Sequence, residues 1–487
     1  MRRVGENMQI ETQYSFIDGE WHPGGETFDS INPSDTSDVI GRFSVASVDD
    51  CDSAVTAARS AFPEWSLSGL EQRKAILDAV GAELIGRSEE IGTLIAREEG
   101  KPLAEGIGEV ARSGQFFQYF GAEVLRQMGE FAASVRAGVN IEVSREPLGV
   151  ISIITPWNFP IAVAAWKIAP ALAFGNCVVL KPAELVPASA SMFADILARS
   201  GLPDGVFNMV HGPGNVVGQA LVANPNVDAI SFTGSVATGR HIARAAVENM
   251  TRVQLEMGSK NALIVLNDAD IDVAINCAVN GAYFGTGQKC TASSRLIVEA
   301  GIHDEFVERM ITATDALVVG HALEPGTQIG PVVDGQQLNK NLGYIQLAKE
   351  EGATVATGGD KLRLVTNGYY MRPALCVDTS NAMRINREEI FGPISSVIKV
   401  ADFDEALSVS NDSDFGLTSG IITTSLSHAT HFKRHTQSGC AMVNLPTAGT
   451  DYHVPFGGRK SSSYGPREQG QYAKEFYTTV KTTYLSA

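Results

Sequence analysis

The chain has 487 residues, 44% of them hydrophobic, which is too much for one small core, so two to four domains or lobes are expected. A formal net charge of -17 excludes a polyanionic partner, because a nucleic-acid binder needs concentrated Lys and Arg to displace counterions from phosphates. Six cysteines, at positions 51, 177, 277, 290, 376 and 440, form no CxxC pair and no dense framework, which points to reduced thiols in a cytoplasmic protein.

The opening MRRVGENMQI lacks the apolar run of a signal peptide, and Met8 is an alternative start to Met1. Phe16-Ile17-Asp18-Gly19-Glu20-Trp21 predicts a short hairpin, after which the chain reads as largely helical up to about residue 130. From about residue 150, short β-branched runs alternate with helical patterns, at 150–154, 177–180, 206–210, 229–232, 252–255 and 262–266. That rhythm predicts βαβ units around a mostly parallel sheet, with ligands in the loops just after its strands. Ile161 to Leu180 is the most apolar segment, but Lys167, Pro170, Gly175 and Asn176 interrupt it. A buried helix and a core strand are therefore predicted there, not a membrane span. A second α/β region follows Gly287, with strands near 296–298 and 395–400, implying two lobes with a cleft between them. Asn140 to Ser144 and Thr478 to Tyr484 alternate like strands where both lobes should be complete, and are expected to pair across a subunit boundary.

The loops after the predicted strands carry the chemistry. Thr155-Pro156-Trp157-Asn158-Phe159-Pro160 holds an amide, Asn158, between two prolines, and Lys181-Pro182-Ala183-Glu184 sets a cation and an anion three residues apart. Phe232-Thr233-Gly234-Ser235-Val236-Ala237-Thr238-Gly239 is a glycine turn opening a helix, either an ordinary helix start or a phosphate site. Gly212-Pro213-Gly214-Asn215-Val216-Val217-Gly218 lacks the spacing of the usual dinucleotide fingerprint, so any nucleotide is bound differently. Gln254-Leu255-Glu256-Met257-Gly258 ends an apolar strand on a carboxylate, which is either a desolvated general base or a salt-bridged edge residue. Phe284 to Ser293 places a thiol in a polar, glycine-rich loop. Cys290 is the candidate nucleophile, Lys289 a cation able to favour its thiolate, and the other five cysteines are expected to be inert core residues. His428, His431 and His435 recur at helical spacing without a thiol or carboxylate among them, so they read as a solvated helix face and no metal is assigned.

Together with Glu389-Ile390-Phe391-Gly392-Pro393 and Pro455-Phe456-Gly457-Gly458, these blocks resemble the aldehyde dehydrogenase superfamily in order and spacing, from Phe16 to Tyr484. The resemblance implies an α/β fold in three parts. A Rossmann-like cofactor domain would take residues 1–126 and 148–257, an α/β catalytic domain 258–466, and a small β oligomerisation element 127–147 and 467–487, in a homodimer or homotetramer. It further implies that Cys290 attacks an aldehyde carbon, that the Asn158 amide and the Cys290 N–H hold the oxyanion, and that hydride leaves to a nicotinamide. Glu256 then deprotonates the water that hydrolyses the thioester, and Lys167 joins the catalytic set. A CoA-acylating or phosphorylating relative would need no such base, and a non-catalytic protein of the same fold would need none of Cys290, Asn158 and Glu256.

The cofactor that the resemblance implies is NAD, with NADP possible. Its implied contacts are Ile154, Thr155, Pro156, Trp157, Lys181, Glu184, Gly214, Gly218, Phe232, Gly234, Ser235, Glu389 and Phe391, with Glu184 at the adenosine ribose favouring NAD. The implied substrate tunnel holds Phe159, Val163, Trp166, Phe284, Lys289, Thr291, Tyr452 and His453. Two departures stand out: Ser259 replaces a usual glycine, adding a side chain near the nicotinamide or thioester, and Pro466 reads as a one-residue insertion. That carboxyl-terminal variant, with Asp451-Tyr452-His453-Val454 before it, resembles the branch that oxidises 2-oxoglutarate semialdehyde. Succinate or glutarate semialdehyde, or a broad range of aliphatic or aromatic aldehydes, are the alternatives. Lys289, His453 and Arg459 would supply charge for an anionic substrate, or else face solvent or structural carboxylates.

Overall fold

The structure, a computed structural model, describes residues 12–486. The readings made on the amino-terminal MRRVGENMQI lie outside the described residues.

Five parallel strands, Val150–Ile154, Cys177–Lys181, Phe207–Met209, Ala229–Thr233 and Arg252–Glu256, make the centre of an eight-stranded sheet. Every residue of the first two is buried, as expected of parallel strands covered by helices on both faces. In space Ala229–Thr233 lies beside Val150–Ile154, on the side opposite Cys177–Lys181. The order therefore reverses there and opens a crevice at the carboxyl ends of two strands, beside Thr155 and Gly234.

The sheet is extended at both edges by antiparallel pieces. The predicted hairpin forms, with Phe16 opposite Trp21, and its first strand pairs with Phe207–Met209. Asp18 and Gly19 both take positive φ, 52° and 82°, the twist a two-residue hairpin turn requires. At the other edge Ser463–Tyr464 pairs with Leu255 and Glu256. A segment assigned above to the second lobe thus belongs to the first sheet, because the unpaired edge of Arg252–Glu256 needs a partner.

A second sheet of seven strands has Asn261–Val265, Ser293–Glu299, Ile394–Val400 and Thr418–Ile422 running parallel at its centre. A third sheet joins Glu130–Ala133, Val139–Pro147 and Thr478–Ser486. The two outlying strands pair with each other inside one chain, Val143 opposite Thr482. Nine residues in register satisfy both backbones.

Ala162–Ala173 is a buried helix, and Cys177–Lys181 is the core strand that follows it. Among the described residues no helix is long and apolar enough to cross a membrane. The helix Leu103–Glu123 packs against Ala162–Ala173 and turns Glu105, Glu109, Arg112 and Phe116 toward the space between the sheets. These residues recur at three- and four-residue spacing, which is one helical face.

Candidate active site

A cavity of about 470 Å³ lies between the carboxyl ends of the first sheet and the loop preceding Ser293–Glu299. It brings together Asn158, Glu256 and Cys290, residues far apart in sequence. The nucleophile loop stands before its strand, not after it as expected. The second sheet offers the amino end of Ser293–Glu299 to the carboxyl ends of the first.

Backbone geometry shapes that loop. Gly285, Thr286 and Gly287 all take positive φ, and a Cβ at Gly287 would collide with the Gly392 carbonyl, so the turn tolerates no side chain there. Asn261 fixes the far side by donating to the Cys290 and Ala292 carbonyls at 2.7 and 2.9 Å. The Asn158 amide donates to the Gln288 carbonyl at 2.8 Å, two residues from the thiol.

Burial pushes the Cys290 thiol up to about 12, and the Glu389 and Glu256 charges add to that shift. The expected help from Lys289 is absent. Its ammonium turns to the Asn280 carbonyl at 3.3 Å, and its own pKa is lowered, chiefly by burial. Burial and those two carboxylates keep the Cys290 thiol protonated at rest.

Glu256 ends its strand fully desolvated. Burial raises its pKa to about 8, the like charge of Glu468 adding and a hydrogen bond from Ser463 opposing. It is not the salt-bridged edge residue that the sequence also allowed. Behind it, Lys167 is wholly buried, pairs with Glu468 and donates to Ser231 Oγ at 2.9 Å. Lys167 does not line the cavity.

Pro156, Trp157, Gly234, Ser235, Glu389 and Phe391 line the side of the cavity next to the crevice. Trp157 and Phe391 meet edge to face at 5.4 Å, and Glu389 accepts from the Ser259 N–H at 2.9 Å. Ser235 caps the helix Val236–Glu248 through the Thr238 N–H at 3.2 Å. The hydroxyls of Thr155 and Thr233 are buried without a hydrogen-bond partner. Unpartnered donors beside a helix amino terminus fit a pyrophosphate, so these residues fit a dinucleotide. Lys181 pairs with Glu184 at 2.9 Å at the next strand end, Glu184 about half exposed. Ile154 and Phe232 lie in the strands themselves, and Gly214 and Gly218 bound a turn before Gln219–Ala223; none of the four lines the cavity.

On the substrate side, Phe159, Val163, Trp166, Lys289 and Thr291 line the cavity. Phe284, Tyr452 and His453 do not. Phe284 packs into the core of the second lobe, Tyr452 supports Phe116 from behind at 6.3 Å, and His453 is exposed. Arg459 is exposed as well. Ser259 likewise turns away from the cavity and donates to Asn261 Oδ1 at 2.7 Å. Cys440 is half-buried beside the Gly457 carbonyl and is not a core cysteine, whereas Cys51, Cys177, Cys277 and Cys376 are buried. Pro466 offers its carbonyl to Gln254 at 2.9 Å.

Sequence reading missed Lys101, Glu109 and Arg112. Lys101 donates to Glu109 at 2.6 Å and to the Asn158 carbonyl at 2.7 Å, a buried strut beneath the loop that carries Asn158. Polar residues at helical spacing between Glu105 and Phe116, on an otherwise core-facing helix, were the available signal.

A thiol, a raised carboxylate and a donor amide around one cavity, beside a crevice suited to a dinucleotide, define an oxidoreductase that works through a covalent thiol. Residues 21–483 match the aldehyde dehydrogenase family, and the chain belongs to that family. It catalyses the NAD(P)-dependent oxidation of an aldehyde to a carboxylate. It is 40% identical to the alpha-ketoglutaric semialdehyde dehydrogenase of Bacillus subtilis over 479 residues, covering 97% of this chain and 98% of that one. It is 38% identical to the 2,5-dioxopentanoate dehydrogenase of Saccharolobus solfataricus over 478 residues, covering 97% and 99%. Among solved structures, the betaine aldehyde dehydrogenase of Staphylococcus aureus in complex with NAD+ superposes with a TM-score of 0.95 at 34% identity, covering 97% and 94%.

Proposed function

We propose that the substrate is a short aldehyde carrying a carboxylate at its far end, 2-oxoglutarate semialdehyde before succinate or glutarate semialdehyde, and that NAD is the preferred cofactor. The 40% identity, over nearly the full chain, to an alpha-ketoglutaric semialdehyde dehydrogenase carries this reading. A cavity wall that includes Arg112 supports it, although the protein as a whole is acidic.

In this reading Cys290 gives its proton to solvent water as its sulfur adds to the aldehyde carbon, and the Asn158 amide with the Cys290 N–H holds the oxygen that becomes charged. A bound nicotinamide would supply the acceptor for the hydride on that carbon. Glu256, deprotonated, takes a proton from the water that attacks the resulting thioester and frees the acid. Lys167 and Glu468 act behind it by setting its charge. Glu389 and Phe391, with Trp157 against the Phe391 ring, would hold the nicotinamide end, Ser235 the pyrophosphate, and Lys181 and Glu184 the adenosine ribose. Of the remaining implied contacts, Thr155 would offer its unpartnered hydroxyl, and Ile154, Pro156, Gly214, Gly218, Phe232 and Gly234 would shape the crevice by backbone. Phe159, Val163, Trp166, Lys289 and Thr291 enclose the substrate.

The same proposal places the enzyme in the cytoplasm as a homodimer or homotetramer built on the 127–147 and 467–487 element. Supporting observations are the free, scattered cysteines and the exposed Phe131, Val480 and Tyr484 on the third sheet.

The test is kcat/KM for the semialdehyde acids against hexanal and benzaldehyde, with NAD. The acids should win by more than about tenfold. Equal values, or a preference for benzaldehyde, would refute the substrate while leaving the chemistry standing.

A further inference from the structure

Resting on the reading of a carboxylate-bearing aldehyde, we infer that Arg112 is the side chain that receives the substrate's far carboxylate. The sequence pointed to Lys289, His453 and Arg459 for this task. Lys289 is engaged by a backbone carbonyl, and the other two are exposed away from the cavity. Arg112 lines the cavity.

Its neighbours on the same helical face are already satisfied. Glu109 accepts from Lys101 at 2.6 Å and from the Ile161 and Ala162 N–H groups at 3.0 Å, and Glu105 accepts from the Gly285 N–H at 3.0 Å. Arg112 forms no ion pair with either, and among the described residues its guanidinium makes no hydrogen bond. It is held instead over the Tyr452 ring, 5.4 Å from the centroid. Tyr452 is in turn wedged against Phe116 and Tyr119, at 6.3 and 6.0 Å.

The ring positions the guanidinium while its N–H groups keep no partner among the described residues, which leaves them for a planar carboxylate that an arginine can bridge with two bonds. Direction agrees as well. Side chains on a helix lean toward its amino terminus, so Arg112 reaches back toward Glu105, which touches the nucleophile loop at Gly285. The two positions are seven residues apart, about 10 Å along the axis. A short aldehyde acid and the arginine side chain together span that length. The remaining cavity lysine, Lys340, lies near Glu389 and so belongs to the cofactor side.

The test compares kcat/KM for 2-oxoglutarate semialdehyde with that for pentanal on the same preparations of wild type, Arg112→Met, Arg112→Gln and Arg112→Lys. The acid-to-pentanal ratio should fall by about tenfold or more in the Met and Gln variants, mainly through KM, with partial recovery in Lys. The inhibition constant of 2-oxoglutarate, competing against pentanal, should rise by a similar factor. Two neutral variants guard against one failing to fold, and the ratio corrects for any loss of active protein. A ratio unchanged within twofold, on a wild type that prefers the acid, overturns the role of Arg112 alone. A wild-type ratio near one overturns the substrate reading and this inference with it.

Discussion

The side-chain amide of Asn158 and the backbone carbonyl of Gln288 are joined by a 2.8 Å hydrogen bond between the two lobes. One amide hydrogen thus ties the oxyanion loop to the nucleophile loop, and the other remains for the substrate oxygen. Asn158→Ala should lower kcat by about 10²–10³, the usual effect of removing one oxyanion donor. Stability should fall by about 1 kcal/mol, because the Gln288 carbonyl loses its partner. Steady-state rates and thermal melts check both, and a kcat within threefold of wild type would remove Asn158 from the mechanism.

Cys290→Ala should abolish turnover while retaining NAD affinity, since a half-buried loop thiol contributes little to packing. Glu256→Gln should give a burst of reduced cofactor followed by slow release, with the thioester trapped, because hydride leaves before the base is needed. Rapid-mixing absorbance and intact-protein mass report the two signals. No burst and no acyl-enzyme would mean that Glu256 acts first on the thiol.

The pH dependence follows from the raised carboxyl. Glu256 works as a base only when deprotonated, so the hydrolytic step should rise through about pH 8, and this limb should vanish in Glu256→Gln. The Lys167 ammonium lowers the Glu256 pKa and Glu468 raises it. Lys167→Met should therefore shift the limb to higher pH, and Glu468→Gln to lower pH. Movement in the same direction would contradict the assignment. Stability has its own sign: the folded state holds the Glu256 proton more tightly than the unfolded chain, so burying the charge costs stability as pH rises through the folded pKa. Glu256→Gln should melt higher than wild type above about pH 8, where wild type carries that charge.

Glu184 is about half exposed and pairs with Lys181 at 2.9 Å. If its carboxylate meets the adenosine ribose, Glu184→Ser should raise the NADP-to-NAD ratio of kcat/KM by about tenfold, by removing a like charge from the 2'-phosphate and freeing Lys181 for it. An unchanged ratio would place that carboxylate elsewhere.

Local pattern made the parallel strands legible, because strands buried on both faces must be apolar throughout, as Val150–Ile154 and Cys177–Lys181 are. The hairpin at Asp18-Gly19 was legible for a similar reason, since its turn demands positive φ at two adjacent residues. Cys290, Glu256 and Asn158 were visible because each is a reactive or donor group where packing alone would place an apolar one.

What sequence alone determined, then, is the set of elements and the identity of the reacting groups, both written in local spacing and residue type. Tertiary structure decided the environments, which depend on neighbours distant in the chain. Lys289 adjoins Cys290 in sequence but turns to Asn280, Ser463 reaches Glu256 only by adding a strand to its sheet edge, and Ser259 faces Asn261 and not the cavity. Tyr452 belongs to the site only as a platform for Arg112, which stands on a helix to which sequence reading assigned no chemistry. Desolvation and the direction of a side chain are properties of the packed whole, and no window along the chain contains them.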